Sequence, residues 1–286
     1  MIIVVMLLLF PSTACAVEGS PGLDSTVAQI VHAPANTVWM TYPDTNASNP
    51  KPQGVGYPDP DAYAFYVYSM GVILGMQTNP QWETVDTNRD LFDGVTGQPV
   101  VTGASFVIVA PAGVHAQMAY YETNRIAPVY LFGDDSNLFW VVSANDAVIV
   151  ETVTSRSSLT ASSDLFLLVV FSDSFSNYVF ACYGLTAKGS MAAVRFYQSI
   201  FQQLGAYTES WYVYRWTDMN GNGIADAGDD YSFVASEGKY TAGPIPEFST
   251  FDGVAVVSAI IVFAASLLVR RVRPSRRASG RLRRSC

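Results

Sequence analysis

Oxygen-bearing residues recur between positions 218 and 229 at the spacing of a calcium-binding loop. The candidate ligands occupy positions 1, 3, 5, 7, 9 and 12 of this segment, namely Asp218, Asn220, Asn222, Ile224 through its carbonyl, Asp226 and Asp229. Because Ca²⁺ takes roughly six to eight oxygen ligands, this alternation lets one short loop wrap a single ion. Gly223 stands at position 6, where the chain must turn sharply. The segment therefore predicts a structural Ca²⁺ site.

This segment resembles the calcium loops of EF-hands and dockerins, with two departures. Position 12 is Asp229 rather than glutamate, which shortens its reach for bidentate coordination, and the flanking segments have the pattern of strands. Both departures favour a structural ion clamp over a sensor. Ile224 is expected to pin the loop to the core through its side chain. The alternative is a polar turn without a metal, because Asn-Gly and Asp-Gly pairs favour turns.

A second segment, which begins with Asp86, Asn88 and Asp90, starts in the same way but lacks the glycine that such a loop requires. Leu91 stands in its place. We therefore interpret this segment as a turn rather than a second ion site.

The charge distribution divides the chain into an acidic body and a basic tip. Half of the sixteen lysine and arginine residues follow position 269, whereas the last acidic residue is Asp252. Positive residues stay on the cytoplasmic side of a spanning segment, so the apolar run 254–269 predicts a single C-terminal transmembrane helix. Residues 270–286 would then be a cytoplasmic tail, and the body would be extracellular, at the cell membrane.

The N-terminus carries the pattern of a secretory signal peptide over residues 1–16. An apolar stretch is followed by the small-x-small sequence Ala14-Cys15-Ala16. The apolar stretch is too short to span a bilayer, which favours cleavage over retention. An uncleaved anchor and lipidation at Cys15 are the alternatives.

Pro246, Glu247 and Phe248 lie in the linker 244–253, directly before the apolar run and the arginine cluster. This order resembles the PEF-CTERM sorting signal of archaeal cell-surface proteins. The resemblance implies a sorting transpeptidase, an archaeosortase, that would cut near the motif and transfer the body to another anchor. A plain membrane anchor after an accidental tripeptide is the alternative.

Composition limits what the body can do and how it is stabilised. Its acidity excludes nucleic-acid binding and suits divalent cations. The three cysteines, Cys15, Cys182 and Cys286, fall in three predicted compartments, so no intramolecular disulfide is expected. Cys182 should pack as a small core residue. Asn46 begins an Asn-x-Ser acceptor in a loop-like stretch and predicts N-glycosylation.

The pattern along the chain predicts an α/β fold with a mixed β-sheet and flanking helices, over residues 59–243. Residues 17–58 are expected to be an irregular N-terminal extension. Helices are predicted at 61–76, 114–124 and 188–204, and strands at 105–110, 129–132, 138–143, 147–154, 165–171, 178–183, 209–217 and 231–235. The turn Pro111-Ala-Gly113 between a strand and a helix, and the segment 183–189, resemble parts of archaeal S-layer-type surface proteins.

These features predict a structural or adhesive cell-surface protein rather than an enzyme. None of the common catalytic motifs occurs, and the only two histidines are His32 and His115. His115 is expected to cap or pack at a helix start. The expected partners are the membrane, a sorting transpeptidase and other surface-layer proteins. The alternative is a surface-anchored hydrolase or solute-binding protein with a site near Pro111–His115 and Asp134–Ser136, at the C-terminal ends of the central strands.

Overall fold

The computed structural model describes residues 21–61, 63, 66–67, 70, 83–133, 136–152, 154–155, 158–159 and 162–243. The predicted signal peptide, the sorting tripeptide, the apolar run 254–269 and the basic tail lie outside these residues. Within the described part of the chain, no helix is long and apolar enough to cross a membrane. All of the described residues belong to one compact unit.

This unit contains short helices and strands throughout its length. The helices with defined bounds are α1 (Leu23–His32), α2 (Ala116–Thr123) and α3 (Ala187–Ile200). The strands are β1 (Val38–Tyr42), β2 (Glu83–Val85), β3 (Ser105–Ile108), β4 (Val129–Gly133), β5 (Asn137–Val142), β6 (Ala147–Ile149), β7 (Thr154–Ser155), β8 (Ser163–Ser172), β9 (Tyr178–Gly184), β10 (Trp211–Thr217), β11 (Asp230–Ser236) and β12 (Ala242–Gly243).

The larger sheet has seven strands in the order β11-β10-β8-β9-β3-β1-β2. Strands β9, β3, β1 and β2 are parallel, whereas β8, β10 and β11 pair with their neighbours in antiparallel fashion. The sheet is therefore mixed. Because β1, β2, β3 and β9 are parallel, their C-terminal ends lie at the same end of the sheet, and so do the loops that follow them.

Both faces of this sheet are buried, which explains the continuous apolar runs of its central strands. Alternate residues of β8 face two separate cores: Phe166 and Leu168 belong to the first, and Leu165 and Leu167 to the second. The first core also contains residues of α1, of α3 and of the helical positions 63, 66, 67 and 70. The second contains residues of α2 and of the smaller sheet. The unit therefore has three layers: helices, the large sheet, and the small sheet with α2.

The smaller sheet covers most of one face of the larger one. Its order is β12-β6-β5-β4, all antiparallel, and β7 also pairs with β5. Trp140, Val142 and Ile149 pack from this sheet into the second core. The prediction of a mixed sheet with flanking helices is confirmed in outline, but helices flank mainly one face. The other face is largely covered by a second sheet.

Helix α3 starts where β9 ends, and the two elements approach very closely there. A Cβ on Gly184 would lie 2.3 Å from Gly189 Cα, so no larger residue fits at this position. Thr186 is the N-cap, and its hydroxyl oxygen accepts from the Lys188 backbone N–H. The buried Asp164 carboxylate accepts from the Thr186 and Gly189 backbone N–H groups. A carboxylate at a helix N-terminus satisfies donors that the helix itself leaves unpaired.

The prediction of an irregular extension over residues 17–58 is wrong for part of that range. It contains α1, and it contains β1, which lies between β3 and β2 inside the large sheet. Among the described residues of this range, 43–58 form the one long stretch without a helix or strand. A strand of five residues followed by a long loop has too weak a pattern to be placed inside a sheet from sequence.

The remaining helix and strand predictions are confirmed with changed bounds. The predicted helix 188–204 ends at Ile200 and continues as a 3-10 segment, Phe201–Ala206. The predicted strand 147–154 ends at Ile149 and is followed by a 3-10 turn. Of the predicted helix 61–76, positions 61, 63, 66, 67 and 70 are helical, and positions 71–76 lie outside the described residues.

The aromatic cluster around Phe166 provides a test of this packing. Its ring lies 5.5 Å from that of Phe196 and 5.8 Å from that of Tyr214, and its side chain is fully buried. We expect Phe166→Ala to lower the free energy of unfolding by about 3–5 kcal/mol, because a large buried ring leaves a cavity. The matched control is Phe233→Ala, since Phe233 is 44% exposed; it should cost less than about 1 kcal/mol. Equal losses in urea denaturation would contradict the described core.

Candidate functional site

The predicted calcium loop connects β10 to β11 at the end of an antiparallel hairpin. Thr217 pairs with Asp230 just outside the loop, and the Asp218 backbone N–H donates to the Ser162 carbonyl at 2.8 Å. These contacts fix both ends of the loop to the sheet. The tip of the loop is mostly exposed to solvent, so an ion could enter without any movement of the core.

The first half of the loop is wrapped around its own side-chain oxygens. The Asp218 carboxylate accepts from the backbone N–H groups of Gly221 at 2.7 Å and of Gly223 at 2.6 Å. Asn222 Oδ1 accepts from the Ile224 backbone N–H at 2.7 Å. Gly223 has a φ of 71°, in the left-handed region that favours glycine. These bonds turn the side chains at positions 1 and 5 toward the inside of the loop.

The side chains at positions 3, 5 and 9 meet at Asp226. Its Oδ2 accepts from Asn220 Nδ2 at 3.0 Å and from Asn222 Nδ2 at 2.8 Å, and its Oδ1 accepts from the Gly228 backbone N–H at 2.7 Å. The Gly228 bond and the two amides lower the pKa of Asp226. The two side-chain amides thus present nitrogen donors to this carboxylate, and they would have to rotate for their oxygens to bind a cation beside it.

Asp229, at position 12, closes the loop onto the sheet. Its Oδ2 accepts from Trp216 Nε1 at 2.8 Å and from the Asp226 backbone N–H at 2.9 Å, and its Oδ1 accepts from the Met219 backbone N–H at 3.1 Å. Three donors occupy a carboxylate that has about four lone-pair positions. The structure thus gives Asp229 a loop-closing role beside the ligand role predicted for it.

The expectation that Ile224 pins the loop to the core is wrong. Its side chain is 50% exposed, whereas the next residue, Ala225, is fully buried in the first core. Tyr231 holds the same segment through a hydrogen bond from its hydroxyl to the Asp226 carbonyl at 3.0 Å. The core contact is therefore made by the small residue Ala225 and not by Ile224.

The oxygen set of the loop fits a hard cation such as Ca²⁺, which prefers carboxylate, amide and carbonyl oxygens. Within the described residues, no group of three or more His, Cys, Asp or Glu side chains is arranged to hold a metal. A metal here would therefore depend on Asn220, Asn222 and the Ile224 carbonyl as well as on the carboxylates. Soft metals that need thiolate or imidazole ligands do not fit this set.

A buried polar cluster lies toward the opposite edge of the large sheet, just beyond the C-terminal ends of β1, β2 and β3. Lys51 Nζ lies 3.1 Å from Asp86 Oδ2, and both side chains are almost completely buried. Lys51 also donates to the Val114 carbonyl at 2.7 Å, and Asp86 accepts from the backbone N–H groups of Asp44 at 2.6 Å and of Ala116 at 2.7 Å. The cluster ties the 43–58 loop to three strands.

Asp44 belongs to the same cluster and is itself fully engaged. Its carboxylate accepts from the Thr87 hydroxyl, from Asn49 Nδ2 at 2.7 Å and from the Asn46 backbone N–H at 2.8 Å. Sequence analysis missed this cluster, and it assigned Asp86 to a turn. The available signal was that Asp86 directly follows the parallel strand β2 and that Asp44 comes two residues after the end of β1. Polar groups from neighbouring parallel strands converge at such positions. Asn46 lies exposed in the adjoining loop, and its glycosylation stays a prediction.

His115 confirms the expectation that it caps a helix. It is the N-cap of α2, and its Nδ1 accepts from the Met118 backbone N–H at 3.3 Å, so its proton is on Nε2. Complete burial lowers the pKa of His115 to about 4, against the opposing effect of the Asp86 carboxylate. A neutral, buried, capping histidine is a structural group.

Glu122 is a second buried titratable group and lies where the layers meet. One oxygen accepts from the Tyr183 hydroxyl at 2.5 Å, on β9, and the other from the Leu131 backbone N–H at 3.1 Å, on β4. Burial raises the pKa of Glu122 to about 7, although both hydrogen bonds act in the opposite direction. This side chain thereby joins α2 to both sheets.

The structure describes only part of the predicted alternative site. Pro111–His115 follows β3 in the large sheet, whereas Ser136 lies between β4 and β5 in the small sheet. Asp134 and Asp135 lie outside the described residues. A groove of about 420 Å³ is present elsewhere, between α1 and the 3-10 segment; it is lined mainly by apolar side chains, among them Val27, Val31 and Phe201.

Comparison with known proteins adds no family to these observations. No protein-family profile matches the chain, and no curated protein matches its sequence significantly. The site is therefore interpreted from its own geometry.

The two buried titratable groups predict opposite dependences of stability on pH. The pKa of His115 is lower in the folded chain (about 4) than its ordinary value of 6.5, so its stabilising contribution is lost as pH falls from 6.5 toward 4. The pKa of Glu122 is raised from 4.5 to about 7, so its contribution is lost as pH rises from 4.5 toward 7. Each effect has a ceiling of roughly 3 kcal/mol.

Single variants separate the two effects. We expect His115→Asn, which keeps a capping side chain, to become less sensitive to acid than the parent between pH 4 and 6.5. Glu122→Gln should not show the decline in stability that the parent shows between pH 4.5 and 7. Asp164, whose pKa burial also raises, is unchanged in both variants. The measurement is the urea midpoint as a function of pH, and slopes equal to that of the parent would refute the assignments.

Proposed function

We propose that this chain is an exported, membrane-anchored cell-surface protein of structural or adhesive type, stabilised by one calcium ion in the loop 218–229. The observation that supports the ion is the gathering of four oxygen-bearing side chains, those of Asp218, Asn220, Asn222 and Asp226, within one loop at the exposed end of the β10–β11 hairpin. The charge step near position 253 and the signal-like N-terminus support export and anchoring.

In this proposal Asp218, Asn220, Asn222, the Ile224 carbonyl and Asp226 hold the ion. Asp229 adds charge and keeps the loop closed through Trp216. The ion supplies positive charge at a hairpin end that carries several carboxylates, and so removes their mutual repulsion. Affinity should be modest, on the order of 10⁻⁴ M, as in extracellular modules.

In α/β enzymes the active site usually lies at the carboxyl ends of the parallel strands, and here structural groups fill that position. This favours a structural role over catalysis. The carboxyl ends of the parallel strands hold a buried ion pair, which is hydrogen-bonded to backbone groups, and a buried histidine whose Nδ1 caps a helix. Cys182 is fully buried in β9, and burial raises the pKa of its thiol, which suppresses its nucleophilic form. None of the observations on the described residues favours the hydrolase or solute-binding alternative.

The partners and location follow from the two ends of the chain. The body is placed outside the cell, the apolar run 254–269 in the membrane and the arginine-rich tail in the cytoplasm. A sorting transpeptidase acting at Pro246–Phe248 would release the body from this helix and attach it to another anchor. Other surface-layer proteins are the expected neighbours of the mature protein.

Calcium should raise the thermal stability of the protein. At a hundredfold excess over the dissociation constant, one ion stabilises the folded state by about 2.7 kcal/mol, which corresponds to several degrees in Tm. We expect this shift to disappear with a chelator and in Asp218→Ala. The matched control is Asp230→Ala, because Asp230 lies just outside the loop and its carboxylate accepts from Ser232. A Tm that is indifferent to calcium and chelator in the parent protein would exclude the ion.

Processing at the sorting tripeptide is tested by the intact mass of the protein recovered from its own cells. We expect a mature body that lacks the signal peptide and every residue beyond the 246–248 region. A variant with Pro246, Glu247 and Phe248 replaced by alanine should keep its C-terminal helix and arginine tail. If the unaltered protein also keeps the arginine tail, the helix is a permanent anchor and no transpeptidase acts on it.

A further inference from the structure

The Lys51–Asp86 pair is unusual because an amine and a carboxyl group are held together in a dry environment. Nζ lies 3.1 Å from Oδ2, and the exposed fractions of the two side chains are 1% and 0%. Burying an ion pair is costly, and it is seldom a net source of stability compared with apolar packing. The pair also lies in a chain that is predicted to be exported and for which no intramolecular disulfide is expected.

We propose that Lys51 and Asp86 condense to form an intramolecular isopeptide bond. The bond would join Lys51 Nζ to Asp86 Cγ, with release of one water molecule. This proposal is independent of the calcium site and of the fate of the C-terminal helix.

The reaction requires a neutral amine and a neutral carboxylic acid, and one proton transfer within the pair produces both. A proton of the Lys51 ammonium passes to Asp86 Oδ2 across their contact. Low polarity favours this exchange, because two neutral groups need less solvation than two charged ones. Burial has the largest effect on the Lys51 amine and lowers its pKa, which also favours the neutral form. The charge of Asp86 acts in the opposite direction.

The surrounding donors then suit attack at the carboxyl carbon. Nζ forms a bond to Cγ, and an electron pair of the carbonyl bond moves onto Oδ1, which accepts from the Asp44 backbone N–H at 2.6 Å. That donor stabilises the negative charge as it develops. One of the two remaining Nζ protons passes to the Oδ2 hydroxyl, which leaves with its bonding pair as water. The carbonyl bond to Oδ1 re-forms, and the product is a secondary amide.

Other contacts of the pair favour the same geometry. The Ala116 backbone N–H, at the start of α2, holds Oδ2 at 2.7 Å, and the Val114 carbonyl holds Nζ at 2.7 Å. Both reactants are therefore fixed before the reaction, which removes much of its entropic cost. The amide retains one N–H, which can continue to donate to Val114.

The bond would give this body the covalent closure that disulfides give other exported proteins. It would link the 43–58 loop to the end of β2 and shorten the freely moving part of the unfolded chain, which stabilises the folded state. Asp44 and His115 are the titratable neighbours that influence the Lys51–Asp86 pair.

The test is the intact mass of the full-length protein after complete denaturation. We expect it to be lighter than its calculated mass by one water molecule. Lys51→Arg is the matched control: it keeps the positive charge beside Asp86 but cannot form this bond, so it should have its full calculated mass. Asp86→Ala should have its full mass as well, and mass is readable even if that variant folds poorly.

The position of the bond is determined from the masses of the peptides in a protease digest. Trypsin does not cut after Lys51, because Pro52 follows it, and no lysine or arginine lies between positions 52 and 88, so both partners stay in one tryptic peptide. A protease that cuts after aromatic residues has sites between them, such as Tyr63 and Phe65, and should yield one branched peptide that contains Lys51 and Asp86. A parent protein of full calculated mass, or a water loss that maps elsewhere or persists in Lys51→Arg, would overturn the proposal.

Discussion

The burial of both faces of the large sheet is the constraint on which the rest of the structure depends. Strand β8 is apolar at every position from Leu165 to Phe171, and a strand of this kind is stable only when each face is covered. Helices α1 and α3 cover one face, and the small sheet with α2 covers the other. Each remaining element either packs on a face of this sheet or connects the elements that do.

Polar groups that enter such a structure must be fully satisfied, and they lie at the junctions between its layers. Asp164 joins β8 to the start of α3, and Glu122 joins α2 to both sheets. The Lys51–Asp86 pair joins the long loop after β1 to the edge of the large sheet. Because a buried group without partners costs several kcal/mol, these contacts specify how the layers fit together more than they add stability.

The loop 218–229, where we propose a calcium ion, follows a different principle, since it lies outside the layers and is held largely by its own side chains. Its oxygens are organised by backbone N–H groups of the loop, and the rest of the unit holds it through the Asp218 N–H, Asp229, Ala225 and the Tyr231 hydroxyl. Such a loop depends on local sequence, so its pattern was visible at the outset. A cation there would stabilise the end of the hairpin without altering the core.

The sequence by itself determined the features that depend on near neighbours along the chain. These are the apolar strands β3, β8 and β9, the helices after positions 115 and 186, the cap at His115, the burial of Cys182 and the arrangement of the loop. Only the tertiary structure decided the position of β1 inside the sheet, the covering of one face by a second sheet, the exposure of Ile224 and the meeting of Lys51 with Asp86. The physical reason is that these depend on contacts between segments far apart in the chain, and a periodic pattern records that a residue is buried but not which partner buries it.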